Sequence, residues 1–313
     1  MEVVNVVVTC SNRKSLPVSP ELCLGGHRAS SLAERAASWL TAIGRAEQRA
    51  PARQVYCGGH WHVVAQLERA RVKVDLWVTS AGYGLIHADD PIASYQSTFS
   101  TQTENSVFQA SLGKEARPVH RDWWSHLARW PGPAPGRPRS LEELAAKYPR
   151  RPMLVALSSV YLGAIGHDLA RVPSHLDDRL MIVSRKTHLP EELHPWVVPF
   201  DARLQDELGG ARQSLYARVV RKMLDEADEH PLRLKPLQQR YQTLLAQAPP
   251  VAVYNRTPLE DGQVRAFIKT QLKKDQSLRH TRALRDFRSA GLACEQKRFA
   301  NLFAEVRQEV LGG

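Results

Sequence analysis

The chain lacks most features that mark membrane-embedded or secreted proteins. No apolar run approaches the roughly 20 residues that a membrane-spanning helix needs. The first residues, Met-Glu-Val-Val-Asn-Val-Val-Val, carry no basic segment ahead of the apolar stretch, which is unlike a secretion signal. Four cysteines in 313 residues are too few for a disulfide framework. We therefore expect free thiols, no membrane contact and a cytoplasmic location.

Common cofactor motifs are also missing. The sequence contains no Walker loop, no G-x-G-x-x-G, no H-E-x-x-H and no paired C-x-x-C motif. Their absence argues against the commonest nucleotide-binding and metal-dependent enzymes, so we expect neither a cofactor nor a metal. What is present is an average globular composition, with 43% hydrophobic and 24% charged residues, which excludes a wholly disordered chain.

The positive charge is concentrated towards the carboxyl end. The formal net charge is +11, and the segment from Arg233 onwards holds fifteen Lys or Arg residues against seven Asp or Glu. A basic region of this kind is typical of proteins that bind nucleic acid.

The hydrophobic pattern predicts an α/β domain with a mostly parallel sheet. Val3 to Val8 is a β-branched run of the kind that is buried on both faces in parallel sheets. Helical periodicity alternates with further apolar runs, which is the βαβ rhythm of a three-layer fold. The other predicted strands are 54–56, 74–79, 153–157, 180–183 and 196–198. The predicted helices are 30–46, 60–71 and 211–227, together with one that begins at the N-cap residue Ser140 and one that ends at Leu169.

Proline clusters suggest the domain limits. The segment 131–139 reads as an exposed loop within an α/β catalytic domain that spans 1–230. Residues 231–313 form the predicted second domain, which is basic and helical apart from an extended stretch at Val251 to Tyr254.

The last part of this second domain is predicted to form two helices around a glycine turn. Gly291 fits the position just after a helix, and apolar residues from Phe299 to Val310 follow helical spacing. Six cations recur on these helices, and guanidinium forks match phosphate oxygens, so we expect a nucleic-acid interface; a solvated helical face is the alternative. The cations are Arg279, Arg282, Arg285, Arg288, Lys297 and Arg298.

Three polar segments follow predicted strands or glycine turns, where open α/β sheets bind ligands. In the first, Thr9 to Lys14, Cys10 is a candidate nucleophile because Arg13 and Lys14 could hold a thiolate. Ser11 is a candidate substrate contact. The alternative is a small buried cysteine that ends a strand.

The second segment is Cys57-Gly58-Gly59-His60-Trp61-His62. Gly58 and Gly59 would let a ligand approach the backbone N–H groups that open a helix, with His60 beside them. Three interpretations remain open: a phosphate or base contact, ordinary helix capping, or a metal held by Cys57, His60 and His62, although structural zinc sites usually show a tighter pattern with four ligands.

The third segment runs from Ser80 to Pro91, with Tyr95 a few residues further on. Glycines on both sides of Tyr83 predict a tight loop that presents the ring, and Ser80 precedes it. Asp89 and Asp90 supply carboxylates for general acid–base chemistry or for hydrogen bonds to a guanine-like base. Simple turn chemistry is the alternative, because Asp-Asp-Pro is a common turn sequence.

These three segments, in this order, resemble the YaaA-like family of α/β proteins of nucleic-acid metabolism. The resemblance covers roughly the first 100 residues and rests on Thr9 to Lys14, Tyr56 to Gly59 and Trp77 to Tyr95. Within the family, the chain is similar to DpdC-type enzymes of bacterial DNA-modification clusters. That resemblance implies hydration of the nitrile of 7-cyano-7-deazaguanine in DNA to the 7-amido base, without a cofactor. It implies DNA as substrate and other proteins of the same cluster as candidate partners.

Two routes to this hydration are open. The Cys10 thiolate could attack the nitrile carbon to form a thioimidate that water then opens, with Lys14 or Arg13 holding the charge. Alternatively, Asp89 or Asp90 could activate a water directly. Backbone N–H groups near Gly58 and Gly59, or the Ser80 and Ser11 hydroxyls, would stabilise charge on the nitrile nitrogen, and Tyr83 or Trp61 would stack on the base.

Three other functions remain possible from the sequence. The first is a non-catalytic DNA-binding or stress-response protein of the same fold. The second is a nuclease or glycosylase-like enzyme acting on modified DNA. The third is a tRNA-modifying relative, which would prefer RNA.

Overall fold

The computed structural model describes residues 3–251 and 255–311, which divide into two compact units, 1–249 and 250–313. The expected extended stretch from Val251 to Tyr254 lies outside the described residues except for its first position. The predicted fold class is confirmed: an α/β unit with a mostly parallel sheet precedes a helical unit.

A six-stranded sheet forms the centre of the first unit. Its strands are β1 (Val3–Thr9), β2 (Lys73–Ser80), β3 (Gly84–His87), β4 (Met153–Ala156), β5 (Leu180–Ser184) and β6 (Val197–Pro199). The spatial order is β3-β2-β1-β4-β5-β6, and every neighbouring pair is parallel except the edge pair of β2 and β3. Strand β1 is central and its valines from Val4 to Val8 are buried, as the β-branched run predicts.

Helices cover this sheet. Those of seven or more residues in the first unit are α1 (Leu32–Arg45), α2 (Ala116–Arg129), α3 (Leu141–Lys147), α4 (Ser159–Leu169), α5 (Leu215–Asp225) and α6 (Leu234–Gln247). Shorter α-helical turns span Ala52–Val55, Gly59–Val64, Pro173–Leu176 and Gln205–Leu208. Turns of 3-10 helix lie at Pro20–Leu22, Leu24–Gly26, Leu67–Arg69, Ala110–Leu112, Asp177–Arg179, Lys186–His188, Glu191–Trp196, Ala202–Leu204 and Arg212–Ser214.

Local sequence signals explain several helix starts. The Ser140 hydroxyl accepts a hydrogen bond from the Glu143 backbone N–H at 3.1 Å, so the predicted N-cap of α3 is confirmed. Ser31 caps α1 in the same way through Glu34. Such caps satisfy backbone donors that have no partner inside the helix.

Three elements of this unit differ from the prediction. Residues 54–56 do not form a strand, because Ala52–Val55 is a helical turn that Tyr56 ends before it pairs with Lys14. Strand β3 was not predicted, since its four residues follow a glycine turn and are too short to show a period. In addition, the predicted helix 60–71 is split into Gly59–Val64 and Leu67–Arg69.

The division between units lies later than predicted, between Pro249 and Pro250 rather than after residue 230. Helix α6 belongs to the first unit, because Tyr241 is buried there and the Gln238 side chain donates hydrogen bonds to the Pro195 and Val197 carbonyls at 2.7 and 2.9 Å. The proline-rich sequence before α6 therefore marks a loop and not a domain limit.

The second unit contains the helices α7 (Asp261–Lys274), α8 (His280–Ser289) and α9 (Gln296–Leu311). A short parallel pair joins Thr257–Pro258 to Leu292–Ala293. Gly291 has a φ of +76°, so the predicted glycine turn between α8 and α9 is confirmed. Phe287 and Phe299 meet in the core of this unit with ring centroids 5.3 Å apart.

One further short pair, Ala50–Pro51 with Pro91–Ile92, is antiparallel and belongs to the first unit. Within residues 3–251 and 255–311, no helix combines the length and the apolar character that crossing a bilayer requires.

Candidate active site

Cys10 lies at the carboxyl end of the central strand β1, where an open α/β sheet places its ligands. Its backbone N–H donates to the Thr79 carbonyl at 3.0 Å, which continues the β1–β2 register by one residue. On the other side, the Thr9 hydroxyl accepts from the Ser158 N–H at 3.1 Å. The thiol is therefore fixed between the ends of β2 and β4.

The Cys10 sulfur is in hydrogen-bond contact with the Tyr161 hydroxyl at 3.1 Å. Tyr161 stands in the first turn of α4, and Cys10 is only 7% exposed. Burial raises the pKa of the Tyr161 phenol well above its usual value, so this hydroxyl keeps its proton and can donate to the sulfur. Cys10 is thus a buried residue at the end of a strand, as the alternative interpretation expects, and its sulfur has a polar contact.

Lys14 brings a cation to the same place. Its Nζ atom lies 4.2 Å from the centre of the Tyr95 ring and 5.7 Å from that of Tyr56. Burial lowers the pKa of Lys14, and the electrostatic influence of the nearby Cys10 and Cys57 acts in the opposite direction. The ammonium group is thus partly desolvated and within electrostatic range of the Cys10 sulfur, and it donates to the Asn12 carbonyl at 3.4 Å.

Three hydroxyls behind Lys14 form a buried chain. The Tyr56 and Tyr95 hydroxyls are 3.0 Å apart, and the Tyr95 hydroxyl lies 2.7 Å from the Ser80 Oγ. Ser80 Oγ also accepts from the Gly82 and Tyr83 N–H groups at 3.1 and 2.9 Å, which fixes its orientation. Burial raises the pKa of both Tyr56 and Tyr95, so the chain is neutral.

We call this set the thiol cluster, and its members are Cys10, Lys14, Tyr56, Tyr95 and Tyr161. Sequence reasoning identified Cys10, Lys14 and Tyr95 as site residues. Tyr56 was missed as a site residue, although it directly precedes Cys57 and Gly58 in the resembling motif.

His60 lies on the far side of the strand end. Its Nε2 atom is 3.2 Å from the Thr9 carbonyl and 3.5 Å from the Tyr216 hydroxyl. Burial lowers the pKa of His60, so the ring is neutral and donates from Nε2 to the carbonyl. Tyr216 on α5 was not predicted, because nothing in its local sequence separates it from an ordinary helix residue.

The two glycines and Ser11 shape the loop beside the cluster. Gly58 has a φ of +96°, and a Cβ there would lie 3.2 Å from the Arg13 side chain. The Ser11 hydroxyl donates to the Cys57 carbonyl at 2.6 Å. Gly59 opens a helix of only six residues. Together these contacts join the Thr9–Lys14 loop to the glycine turn.

The structure does not group Cys57, His60 and His62, the residues of the metal interpretation, as metal ligands. Among the described residues, no three His, Cys, Asp or Glu side chains are grouped so that they could hold a metal ion. The His60 ring is directed to the Thr9 carbonyl, and His62 Nε2 accepts a hydrogen bond from the Gln66 amide at 3.1 Å.

Asp89 does not reach the thiol cluster. Its neighbour Ala88 bonds to Leu76 of β2, whereas Cys10 bonds to Thr79 from the opposite side of that strand. Cys10 and Ala88 are therefore separated by three residues along the strand direction and by two strand spacings across the sheet. Together these separations amount to about 14 Å, and Asp89 lies one residue beyond Ala88. Asp89 instead pairs with Arg53 Nε at 2.7 Å and is half-exposed. The expectation that one pocket holds both Cys10 and Asp89 is therefore wrong.

Asp90 is structural as well. Its carboxylate accepts from the His87 N–H at 2.9 Å and pairs with Arg137 Nε at 2.7 Å, which ties the proline-rich loop to the edge of the sheet. Burial raises the pKa of Asp90, while the His87 N–H and Arg137 oppose the rise. The predicted substrate contact is replaced by a buried ion pair.

The expected stacking rings are also core residues. Tyr83 is fully buried, its hydroxyl accepts from the Ala93 N–H at 3.0 Å, and its carbonyl accepts from Arg139. Burial raises the pKa of Tyr83 to about 12. Trp61 is 3% exposed and donates to the Arg53 carbonyl at 3.1 Å. Neither ring is presented to a base, because both fill the apolar interior.

A recess of about 590 Å³ lies next to the thiol cluster. Phe99 contacts Tyr161 and His120 with ring centroids 5.0 and 4.9 Å apart, so it joins the recess to the cluster. Burial lowers the pKa of His120 to about 4, which makes its ring neutral at physiological pH. Ser159 and Arg117 supply polar groups on the wall. We call this space the Phe99 recess.

In the second unit, the predicted cations differ in availability. Arg279, Arg282, Arg285 and Lys297 are exposed, and Arg288 is half-buried. Arg298 is already engaged: it pairs with Asp261 at 2.6 Å and donates to the Leu259 carbonyl at 3.1 Å. Its expected role in a nucleic-acid interface is therefore replaced by a role in joining α9 to the start of α7.

The chain matches no protein-family model, and no curated protein matches it.

Proposed function

We propose that this protein hydrates the nitrile of 7-cyano-7-deazaguanine in DNA to the 7-amido base, in the cytoplasm, with Cys10 as nucleophile. The observation that carries the proposal is the thiol cluster. A cysteine at the end of the central parallel strand touches a protonated phenol at 3.1 Å and shares its surroundings with a desolvated ammonium group. This is the combination that a thiolate nucleophile needs.

The first step adds the thiol across the nitrile. The Cys10 sulfur attacks the nitrile carbon, one C≡N π bond breaks, and the nitrogen takes a proton, which leaves a thioimidate. A donor must stabilise the charge that develops on nitrogen. Tyr161 and Lys14 both carry protons beside the sulfur, so they are the groups for this task.

The second step adds water to the thioimidate carbon and then expels the sulfur. Water supplies the oxygen and two protons, the C–S bond breaks, and the amide and the free thiol result. The net change is the addition of one water to the nitrile, so neither an oxidant nor a reductant enters. The alternative route, in which Asp89 activates water, is not proposed because Asp89 lies on the order of 14 Å or more from Cys10.

The substrate class is supported by two further features. The Phe99 recess has space of the order that a small ligand fills and is lined by aromatic and polar groups. The exposed arginines of α8, in the second unit, fit a polyanionic substrate. A base held for attack has to leave its stack, which is how enzymes that act on bases proceed.

The test is nucleoside mass spectrometry of DNA that carries the cyano base, before and after incubation with the protein. We expect conversion to the amido base, and a loss of at least about 10³-fold in Cys10→Ala with DNA affinity within a few-fold. Cys23→Ala is the matched control, since the Cys23 thiol donates to the Ser19 carbonyl at 3.8 Å and lies outside the cluster.

Three outcomes would contradict the proposal. Full turnover by Cys10→Ala would exclude the thioimidate route. Strand cleavage or base release instead of conversion would assign the protein to the nuclease or glycosylase class, and binding without any conversion would assign it to the non-catalytic class.

A further inference from the structure

The Phe99 recess has a histidine in its wall that lacks a hydrogen-bond partner. His120 lines the recess from α2 and is 5% exposed, and its Nε2 atom is enclosed without a partner among the described residues. Burial lowers the pKa of His120 to about 4, so the ring is neutral and offers one donor and one acceptor. Buried polar atoms in native proteins nearly always have a partner, so this one indicates a group that the chain itself does not supply.

Other parts of the wall suit a ligand with a flat apolar face. Phe99 is fully buried and packs against His120 with ring centroids 4.9 Å apart. On α4, the lining residue Val160 is 44% exposed, which is unusual for a large apolar side chain in the described part of this protein. Gly163 lines the recess one turn later, and a Cβ placed there would have no atom within 4 Å. The recess is therefore open beside an aromatic ring and an uncovered aliphatic side chain, as ligand sites commonly are.

The charge of the recess excludes a cationic ligand. Its lining residues include no Asp or Glu among the described residues, whereas Arg117 on the first turn of α2 supplies an exposed cation. Glu115, the carboxylate just before α2, is exposed and does not line the recess. A neutral imidazole, an aromatic wall and a nearby guanidinium group together fit a heteroaromatic ring that carries an anionic group, which is the chemistry of a nucleotide.

We propose that the Phe99 recess holds the unstacked base of the DNA substrate and that His120 recognises this base by a hydrogen bond. Nucleobases combine flat apolar faces with donors and acceptors on their edges. Tyr161 lies between the recess and the thiol, because its ring packs on Phe99 and its hydroxyl contacts the Cys10 sulfur. The fit of a flat heteroaromatic ring rests on the recess alone, whereas its assignment to DNA rests on the proposed function.

The experiment compares two short single-stranded oligonucleotides by fluorescence anisotropy, in the Cys10→Ala background so that no base is converted. All nucleotides of both strands are abasic, except that one strand carries a single central 7-cyano-7-deazaguanine. The ratio of the two affinities isolates the base, since both strands share the same phosphates. We expect the base to strengthen binding by at least about 30-fold, because stacking and one hydrogen bond are gained together.

Two substitutions in the recess should reduce this ratio to different extents. His120→Phe keeps an aromatic ring and removes both nitrogens, so we expect a reduction of about fivefold, the value of one hydrogen bond. Gly163→Leu places a side chain in the open space, so we expect the ratio to fall to about one. Leucine is also the better helix former, so Gly163→Leu keeps the test valid if His120→Phe does not fold.

The matched controls make the same changes in helices outside the recess. His126→Phe alters a half-buried histidine of the same helix α2, and Gly44→Leu alters an open glycine of α1. Neither residue lines the recess, so we expect both variants to keep the full ratio. An undiminished ratio in Gly163→Leu would overturn the proposal. Equal reductions in His120→Phe and His126→Phe would remove the role of His120.

Two further measurements separate this proposal from its alternatives. Calorimetric titration with GMP tests a free nucleotide as the occupant: binding that depends on His120, without any base dependence in the oligonucleotides, would overturn the assignment to DNA. Conversion of the cyano base by the unaltered protein without base-dependent binding would reject the recess and keep the hydration. Base-dependent binding that Gly163→Leu abolishes, without conversion, would keep the recess and reject the hydration.

Discussion

The thiol cluster and the arginines of α8 differ in their exposure to water. The cluster is buried, so its ammonium group has a lowered pKa and its phenols have raised ones. The arginines are largely exposed, and their charge is screened by salt. Burial tunes single groups for chemistry, whereas exposure keeps charges available for a large partner. Substitutions in the first region should therefore change turnover, and those in the second should change binding.

After Cys10→Ala, the largest effect on turnover is expected from Lys14→Met. Loss of the ammonium group should lower turnover by roughly 10²-fold, as for removal of one charge-stabilising donor in a buried site. DNA affinity should not change. Lys73→Met is the control, because Lys73 is an exposed lysine at the start of β2.

The pH dependence of turnover sharpens this prediction. Burial lowers the pKa of Lys14 below its ordinary value of 10.5, so rising pH removes this proton earlier than that of a free lysine. Turnover should fall on that alkaline limb, and Lys14→Arg should move the limb to higher pH because arginine keeps its charge. DNA affinity, which depends on arginines, should stay flat over the same range. A limb that Lys14→Arg does not move would remove Lys14 from the mechanism.

Two glycine substitutions compare the packing of the two units. A Cβ at Gly82 would lie 2.5 Å from the Tyr95 ring and 3.2 Å from that of Trp39, so Gly82→Ala should destabilise the first unit by about 1–3 kcal/mol. Gly262 in α7 has no atom within 4 Å of such a Cβ, so Gly262→Ala should stabilise the second unit by up to about 1 kcal/mol.

Urea unfolding can separate these two effects, because all seven tryptophans precede residue 200. Tryptophan fluorescence therefore follows the first unit, and far-ultraviolet circular dichroism follows the helices of both. We expect Gly82→Ala to lower the urea midpoint of the first unit and Gly262→Ala to raise that of the second. No loss of stability in Gly82→Ala would show that the surroundings of Tyr95 are not close-packed, and a loss in Gly262→Ala would show that this position is not open.

The smallest effect on turnover is expected from Tyr161→Phe. One hydrogen bond to the sulfur is worth about 1–1.5 kcal/mol, which corresponds to roughly tenfold in rate. Tyr241→Phe is the control, since that buried hydroxyl donates to the Val219 carbonyl at 3.3 Å, within the packing of α5 and α6. Equal losses in both variants would indicate general destabilisation in place of a role at Cys10.

Much of the fold follows from short-range patterns. The valine run of β1, the N-cap at Ser140 and the glycine turn at Gly291 each depend on a few neighbouring residues, and each is confirmed. Strand β3 and the helical turn Ala52–Val55 are too short to show a period, so packing decides their conformation. The limit between the units was misplaced because the buried face of α6 makes its contacts with distant strands.

The candidate site divides in the same way. Cys10, Lys14 and Tyr95 could be found because they lie in recognisable segments after strands or glycine turns. Asp89 and Tyr83 lie in equally suggestive segments, yet one is directed to Arg53 and the other into the core. Local sequence shows which groups are polar and near a turn, but not the direction in which a side chain points.

The sequence by itself determined that this chain has an α/β unit followed by a basic helical unit, because hydrophobic period and charge are properties of the chain order. Only the tertiary structure decided that Cys10 meets Tyr161 and not Asp89, and that Arg298 pairs with Asp261. The reason is that burial and partner choice arise from strand register and helix packing, which bring together residues that are far apart along the chain.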